Sequence, residues 1–204
     1  MAVNDFDSVA PFYDRISKLF FGGLLTIAQG YYLKEIGAND RVLILGGGTG
    51  KILKHVPNSE ELDFVEKSQR MLDRAKKRRI NRSVNYIQAD FLEFESEKKY
   101  DVIICPFFLD CFGEQSLNTV IVKVKELLCT NGTLIVTDFD RKRIHPFLLE
   151  SMLIFFDWFS NLEATQLIDL RSFLKKNGFE ENGIKFYEKG VFSALYSPVS
   201  KMKQ

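Results

Sequence analysis

The run Arg41-Val42-Leu43-Ile44-Leu45 leads straight into Gly46-Gly47-Gly48-Thr49-Gly50-Lys51. Apolar side chains in succession, with no polar residue alternating among them, suit a strand buried on both faces. The glycines permit a sharp turn through positive φ, and a short helix follows that Pro57 stops. A buried strand, a glycine turn and a helix in that order open a crossover-built parallel sheet. The following residues keep the alternation. Strands are predicted at Glu61–Val65, Val84–Gln88, Tyr100–Cys105 and Thr133–Thr137. Helices are predicted over Ser68–Arg79, with Met71, Leu72 and Ala75 inward, and over 116–129. In the latter Leu117, Val120, Ile121, Val124, Leu127 and Leu128 form one apolar stripe that Asn131-Gly132 ends.

The two ends read differently. Residues 7–36 form two helical pieces separated by Gly22-Gly23. Residues 145–160 read as an aromatic helix, and 165–177 as another that Asn177-Gly178 ends. The runs Gly183–Tyr187 and Val191–Ser197 flank Glu188-Lys189-Gly190, a hairpin signal. The pattern therefore predicts an α/β, Rossmann-like fold: a seven-stranded, mostly parallel sheet with helices on both faces and the last strand antiparallel. With 204 residues the chain suits one domain over 1–204, a helical cap at 1–38 and an α/β core at 39–204. Ligands of such sheets sit at the carboxyl ends of the strands, here just after residues 45, 65, 88, 105 and 137.

Charge removes several classes of function. The 28 basic and 27 acidic side chains leave a net charge of +1, without the basic excess of a nucleic-acid binder. The run Lys76-Lys77-Arg78-Arg79, with Arg82 nearby, ends a helix, where cations favour the macrodipole, and reads as a solvated face. Cys105, Cys111 and Cys129 lack metal-ligand or disulfide spacing, and His55 and His145 lack the spacing of a metal pair. No metal is expected. The start, Met1 to Asp7, is acidic where a secretory signal is basic. The longest uncharged apolar stretch, Leu19–Ala28, is half of the ~20 residues a membrane helix requires. A reduced, cytoplasmic protein without a transmembrane segment is the expectation.

Three readings of the glycine loop compete. A phosphate-binding GxxxxGK[ST] loop with Gly50-Lys51 as its GK puts Leu45 at the first glycine and Ile52 at the last position. Both fail. A dinucleotide GxGxxG starting at Gly46 meets Lys51 at its third glycine, which leaves a nicotinamide-dependent oxidoreductase as an alternative. GxGxG at Gly46, Gly48 and Gly50 fits. A glycine-rich turn without any ligand stays open beside it.

That loop resembles the first motif of class I S-adenosyl-L-methionine (SAM) dependent methyltransferases, and later segments extend the resemblance. Glu66-Lys67-Ser68 with Met71-Leu72 is similar to the family's acidic-x-Ser-x-x-Met-Leu pattern, and Ala89-Asp90-Phe91 to its adenine-contacting segment. Phe6 to Asp14 (FDSVAPFYD) resembles the opening of the ubiquinone/menaquinone-biosynthesis and related small-molecule branch. The resemblance implies a cofactor site of Tyr13, Gly46, Gly48, Gly50, Glu66, Lys67, Met71, Ala89, Asp90, Phe91 and Pro106. Glu66 would accept from the ribose hydroxyls and Asp90 from the adenine amino group. Met71 and Phe91 would border the base, and Tyr13 would help close the site. Each also has a plainer reading: Glu66 a solvated strand end, Asp90 a turn former, Met71 and Tyr13 core.

Two departures stand out. The family often has an acid two positions before the first glycine, to hold the cofactor's ammonium; here that residue is Ile44. Cys105-Pro106-Phe107-Phe108 lacks the polar first residue and second proline of the [DNS]PP[YF] box, so a nucleobase amino group is a poor acceptor candidate. The resemblance then implies methyl transfer to a small, apolar or aromatic acceptor, with a SAM-binding protein without catalysis as a further alternative. Phe107, Phe108 or Tyr13 would tolerate the sulfonium through their ring faces. The helix at 145–160 either caps an apolar acceptor cavity or lies in the core or a homodimer interface. Asp110, Asp138, Asp140 and His145 follow suitable strands, with nothing to select a catalytic group among them.

Overall fold

Val42 and Ile44 join one apolar cluster and Leu43 and Leu45 another, all four without solvent exposure. Alternation along a pleated strand sends neighbours to opposite faces, so both faces of the first strand are covered. Each such side chain contributes about 1.5–3 kcal/mol by leaving water. The computed structural model describes residues 6–8, 10–151, 163, 164 and 166–199. In it α1 (Ala10–Phe21) and α2 (Leu24–Gly30) precede β1 (Arg41–Leu45), β2 (Glu61–Glu66), α3 (Gln69–Lys76), β3 (Asn85–Gln88) and β4 (Tyr100–Pro106). Then come α4 (Glu114–Leu127), β5 (Leu128–Phe139), α5 (Leu170–Lys176), β6 (Phe179–Phe186) and β7 (Val191–Pro198).

The sheet has seven strands in the order β3-β2-β1-β4-β5-β7-β6. Pairing is parallel from β3 to β5, and β7 runs antiparallel to both β5 and β6. The expected Rossmann-like architecture is therefore present. From β1 the chain winds outward through β2 and β3, then returns to place β4 on the other side of β1. The carboxyl ends of β1 and β4 thus flank the switch point, where a crevice opens. A third apolar cluster, around Phe21, Ala28, Phe139 and Ile144, seats α1 and α2 over that end of the sheet. The Ser193 hydroxyl of β7 donates to the Ala28 carbonyl, tying α2 down.

Three local expectations are corrected. The long amphipathic helix ends at Leu127, and Asn131-Gly132 lies inside β5. There the register jumps from Tyr100–Leu128 to Val102–Thr133, so the glycine relieves a bulge rather than stopping a helix. The helix expected over 165–177 starts at Leu170, because the Asp169 carboxylate accepts the Ser172 N–H and caps it there. The basic run is not wholly solvated. Arg78 is half-buried, and the Lys76 ammonium lies 6.0 Å from the Tyr86 ring centre. Residues 146–151 open the expected aromatic helix; most of it, and with it the expected homodimer contact, falls outside the described residues.

Candidate cofactor-binding site

The glycine loop adopts the backbone its composition permits. Gly46, Gly48 and Gly50 have φ of +64°, +57° and +72°. Their surroundings differ. A Cβ on Gly46 would stand 2.4 Å from the Phe108 ring, and one on Gly50 2.8 Å from Ala75 of α3. A Cβ on Gly48 would meet no atom within 4 Å, because that residue faces a cleft. Gly46 and Gly50 are thus required by packing, whereas Gly48 leaves room for something outside the chain.

The cleft is narrow and open to solvent, with a cavity volume of about 120 Å³. Nine of the expected residues line it: Tyr13, Gly46, Gly48, Glu66, Lys67, Met71, Ala89, Asp90 and Phe91. Pro106 borders an adjoining polar recess that Tyr13, Gly46 and Gly48 share. Gly50 lines neither and packs against α3.

Glu66, the last residue of β2, is 6% exposed. Its Oε2 accepts the Gly48 N–H at 2.9 Å and its Oε1 the Ser68 N–H at 2.9 Å. The carboxylate keeps acceptor capacity for a ligand hydroxyl. Burial raises the Glu66 pKa, against the pull of these amides. Ser68 caps α3 by accepting the Met71 N–H at 3.1 Å, which sets Met71 against the cleft. The Ser68 hydroxyl also donates to Asp7, so the segment before α1 is strapped to the start of α3.

Asp90 makes the turn of its plainer reading and also stands on the cleft wall. Its Oδ1 accepts the Leu92 N–H at 3.0 Å, a local turn, and its Oδ2 meets the Lys67 ammonium at 2.8 Å on the cleft wall. Phe91 and Phe108 stand edge to face at 5.9 Å, and Phe108 meets Phe112 similarly at 5.0 Å. Phe107 holds a left-handed φ of +54° at the end of β4, pinned by its N–H to the Thr137 carbonyl at 2.7 Å. Such strain costs on the order of 1–3 kcal/mol and is commonest at functional sites.

The α1 residue Asp14 fastens the cap to the loop. Its carboxylate accepts the Thr49 hydroxyl at 2.7 Å and meets Lys51 at 3.1 Å and Arg78 at 2.9 Å. Arg78 also donates to the Thr49 carbonyl. Burial alone would raise the Asp14 pKa, but the Thr49 and Lys51 hydrogen bonds prevail and hold it below the usual range. The preceding residue, Tyr13, lines both cleft and recess; burial, then nearby Cys111 and Asp110, raise its pKa.

Among the four acid–base candidates, the fold brings two together. The Asp110 N–H donates to Asp138 Oδ2 at 3.3 Å. Asp140 instead accepts the Lys142 N–H in a turn, and His145 accepts the Phe147 N–H at the start of the next helix. Cleft walls without a prior sequence assignment include Cys111, Phe112, Leu92 and Glu163. Glu163 accepts the Ser116 hydroxyl at 2.7 Å and carries no motif that marks it.

A sheet in this order, with a glycine loop at its switch point and an acid closing β2, is the class I SAM-dependent methyltransferase fold. A methyltransferase-domain family model matches residues 42–132, from β1 into the β5 bulge. The structure is similar to DhpI bound to S-adenosyl-L-homocysteine, with TM-score 0.73 and 15% identity over 96% of this chain and 94% of that one. It is also similar to a SAM-dependent methyltransferase from Clostridium acetobutylicum, with TM-score 0.72 and 15% identity over 94% and 99% of the two chains. In sequence it is distantly related to a demethylmenaquinone methyltransferase of Chlamydia felis, 24% identical over 152 residues. That alignment takes in 71% of this chain and 64% of the relative. A Chlamydia caviae protein of the same description is 30% identical over 98 residues, 46% of this chain and 42% of the relative. The chain thus spans less than two thirds of the length of these relatives. Among the described residues no helix is long and apolar enough to cross a membrane.

Proposed function

We propose that this protein is a SAM-dependent methyltransferase acting on a small, apolar or aromatic acceptor. The observation that carries this reading is the open, positive-φ Gly48 beside the buried Glu66 carboxylate, which together form a cradle at the switch point. The chemistry of the lining residues suits the cofactor. Glu66 keeps acceptor capacity for a ribose hydroxyl, and Met71 and Phe91 give a flat apolar slot for a purine beside Asp90. The loop and the recess by Pro106 offer polar room for the amino-acid end. Residues 1–38 act as a cap on the core at 39–204, and Tyr13 closes the site. The free cysteines support a reduced, cytoplasmic setting.

When bound, SAM supplies an electrophilic methyl group on a sulfonium. The chain's task is then mainly positioning, which can supply up to about 7–11 kcal/mol. Glu66 and the glycine loop fix the nucleoside, while Phe107, Phe108 and Tyr13 exclude water and present ring faces to positive charge. The aromatic walls favour a flat apolar acceptor, of the kind that the names of the Chlamydia relatives denote.

Thermal unfolding with SAM, NAD and ATP in turn tests the reading. SAM at 100 times its Kd should stabilise the protein by about 2.7 kcal/mol. Stabilisation by NAD and not by SAM would favour an oxidoreductase, which Lys51 at the third dinucleotide glycine already opposes. Incubation of methyl-labelled SAM with a small-molecule extract should yield labelled product; binding without transfer across a broad extract would favour a non-catalytic SAM-binding protein.

A further inference from the structure

The cofactor reading leaves two neighbouring acids unused, Asp138 buried and Asp110 half-buried. Asp138, at the end of β5, is 0% exposed, and Asp110 lies in the single turn that follows β4. The Asp110 N–H donates to Asp138 Oδ2, and the Phe139 N–H donates to Asp138 Oδ1 at 2.9 Å. The Cys111 thiol points to Asp110 Oδ1 at 3.6 Å and to the Phe107 carbonyl at 4.0 Å, and Cys111, Phe107 and Phe108 are all cleft walls. The pair therefore stands one side chain behind the cleft.

Among the described residues neither carboxyl has a cationic partner. The titratable groups around them are Cys105 on β4, Cys111 beside Asp110, Tyr13 on α1 and, farther off, Glu66 on β2. Each is neutral or negative. Burial pushes the Asp110 carboxyl up to about 6 and holds Asp138 well above the carboxylate range. Two carboxyls in one desolvated place do not both ionise. Near neutral pH they share one proton and keep one negative charge, which among the described residues meets two backbone N–H groups but no cation. A buried unpaired charge is costly, so a cation arriving in the cleft would relieve it.

We propose that the Asp110–Asp138 pair is the counter-charge by which this cleft distinguishes a cationic nucleoside ligand from its neutral counterpart, holding SAM in preference to S-adenosyl-L-homocysteine. The inference rests on the cofactor reading above. It gives the pair a role in releasing product: loss of the methyl group neutralises the sulfonium and removes the attraction. A single charge acting across a desolvated gap is worth about tenfold in affinity. Since the cation favours the ionised pair, SAM binding near pH 6 must expel protons, and homocysteine-product binding must not.

Calorimetry of the wild-type protein with each ligand, in two buffers of different ionisation enthalpy, reads this directly. Expected are proton release with SAM alone at pH 6 and a SAM preference that falls about tenfold from pH 7.5 to 5.5. The double variant D110N/D138N should lose about tenfold in SAM affinity while its affinity for S-adenosyl-L-homocysteine stays within twofold. D138N alone should keep the preference at pH 7.5, because Asp110 remains charged. Equal affinities at every pH, without proton release, overturn the inference and leave the cofactor reading standing. Binding of neither ligand overturns both. If the double variant does not fold, the proton count on wild type still decides.

Discussion

The backbone N–H of Gly48 donates to the Glu66 carboxylate at 2.9 Å, so the loop that turns away from β1 is held by the acid that closes β2. The Ser68 N–H binds the other oxygen at the same distance. One carboxylate thereby sets the shape of the cradle and lines it. Glu66→Gln should show both roles. Its amide NH2 would face one of the two backbone N–H groups, donor against donor. Removing charge-assisted bonds costs about 1.5–3 kcal/mol each, so SAM affinity should fall at least tenfold by calorimetry. Unchanged affinity would rule out the assigned role.

Gly46→Ala and Gly48→Ala should separate packing from binding. Both place a Cβ on a left-handed backbone, at a cost of about 1–2 kcal/mol. At Gly46 the new carbon would also lie 2.4 Å from the Phe108 ring, whereas at Gly48 it would enter open cleft. Gly46→Ala should therefore lower the denaturation midpoint by clearly more. Gly48→Ala should stay folded and lose SAM binding. Equal stability losses with SAM affinity retained in Gly48→Ala would mean the cleft is not the cofactor cradle.

What the sequence reveals and what it hides differ by range. Strand β1 and the cradle residues were legible because the information is local: four apolar residues in a row, three glycines at alternate positions, and acids directly at strand ends. The stop signal Asn131-Gly132 misled for the same reason. The dipeptide favours any sharp local turn, and only the pairing of β5 with β4 makes it a bulge. Arg78 looked solvated because its partner, Asp14, is 64 residues away on the cap. Asp110 and Asp138 were both candidates, yet nothing short of the β4–β5 adjacency selects them over Asp140 and His145.

The Asp14 latch should contribute stability whose pH dependence has a definite sign. Its carboxyl is held below the usual range in the folded state. The unfolded chain therefore binds more protons in acid, and this contribution, complete above the ordinary carboxylate pKa, is lost as pH falls through the lower folded value. Asp14→Ala should destabilise by about 1–2 kcal/mol at pH 7, the partial exposure of the cluster reducing its worth. It should also weaken SAM binding, since Tyr13 is the preceding residue. A double-mutant cycle with Arg78→Ala should show coupling; strict additivity would mean the cap is held by its apolar contacts instead.

Ile44→Asp tests whether the missing first-strand acid can simply be restored. The family's acid would serve the cofactor's ammonium, but in this chain Ile44 is 0% exposed and belongs to the cluster of Val42, Phe64 and Ile135, on the side away from the cleft walls. Its Cγ2 lies 3.1 Å from where a Cβ on Gly47 would stand, so the surroundings are closed. An aspartate there would lose the apolar contacts and bury an unpaired carboxylate. Destabilisation should be at least about 3 kcal/mol, from the cavity and the desolvated charge together. SAM affinity should not rise. Denaturation with and without SAM measures both effects: a stable Ile44→Asp protein that binds SAM more tightly would mean that this position faces the cofactor after all.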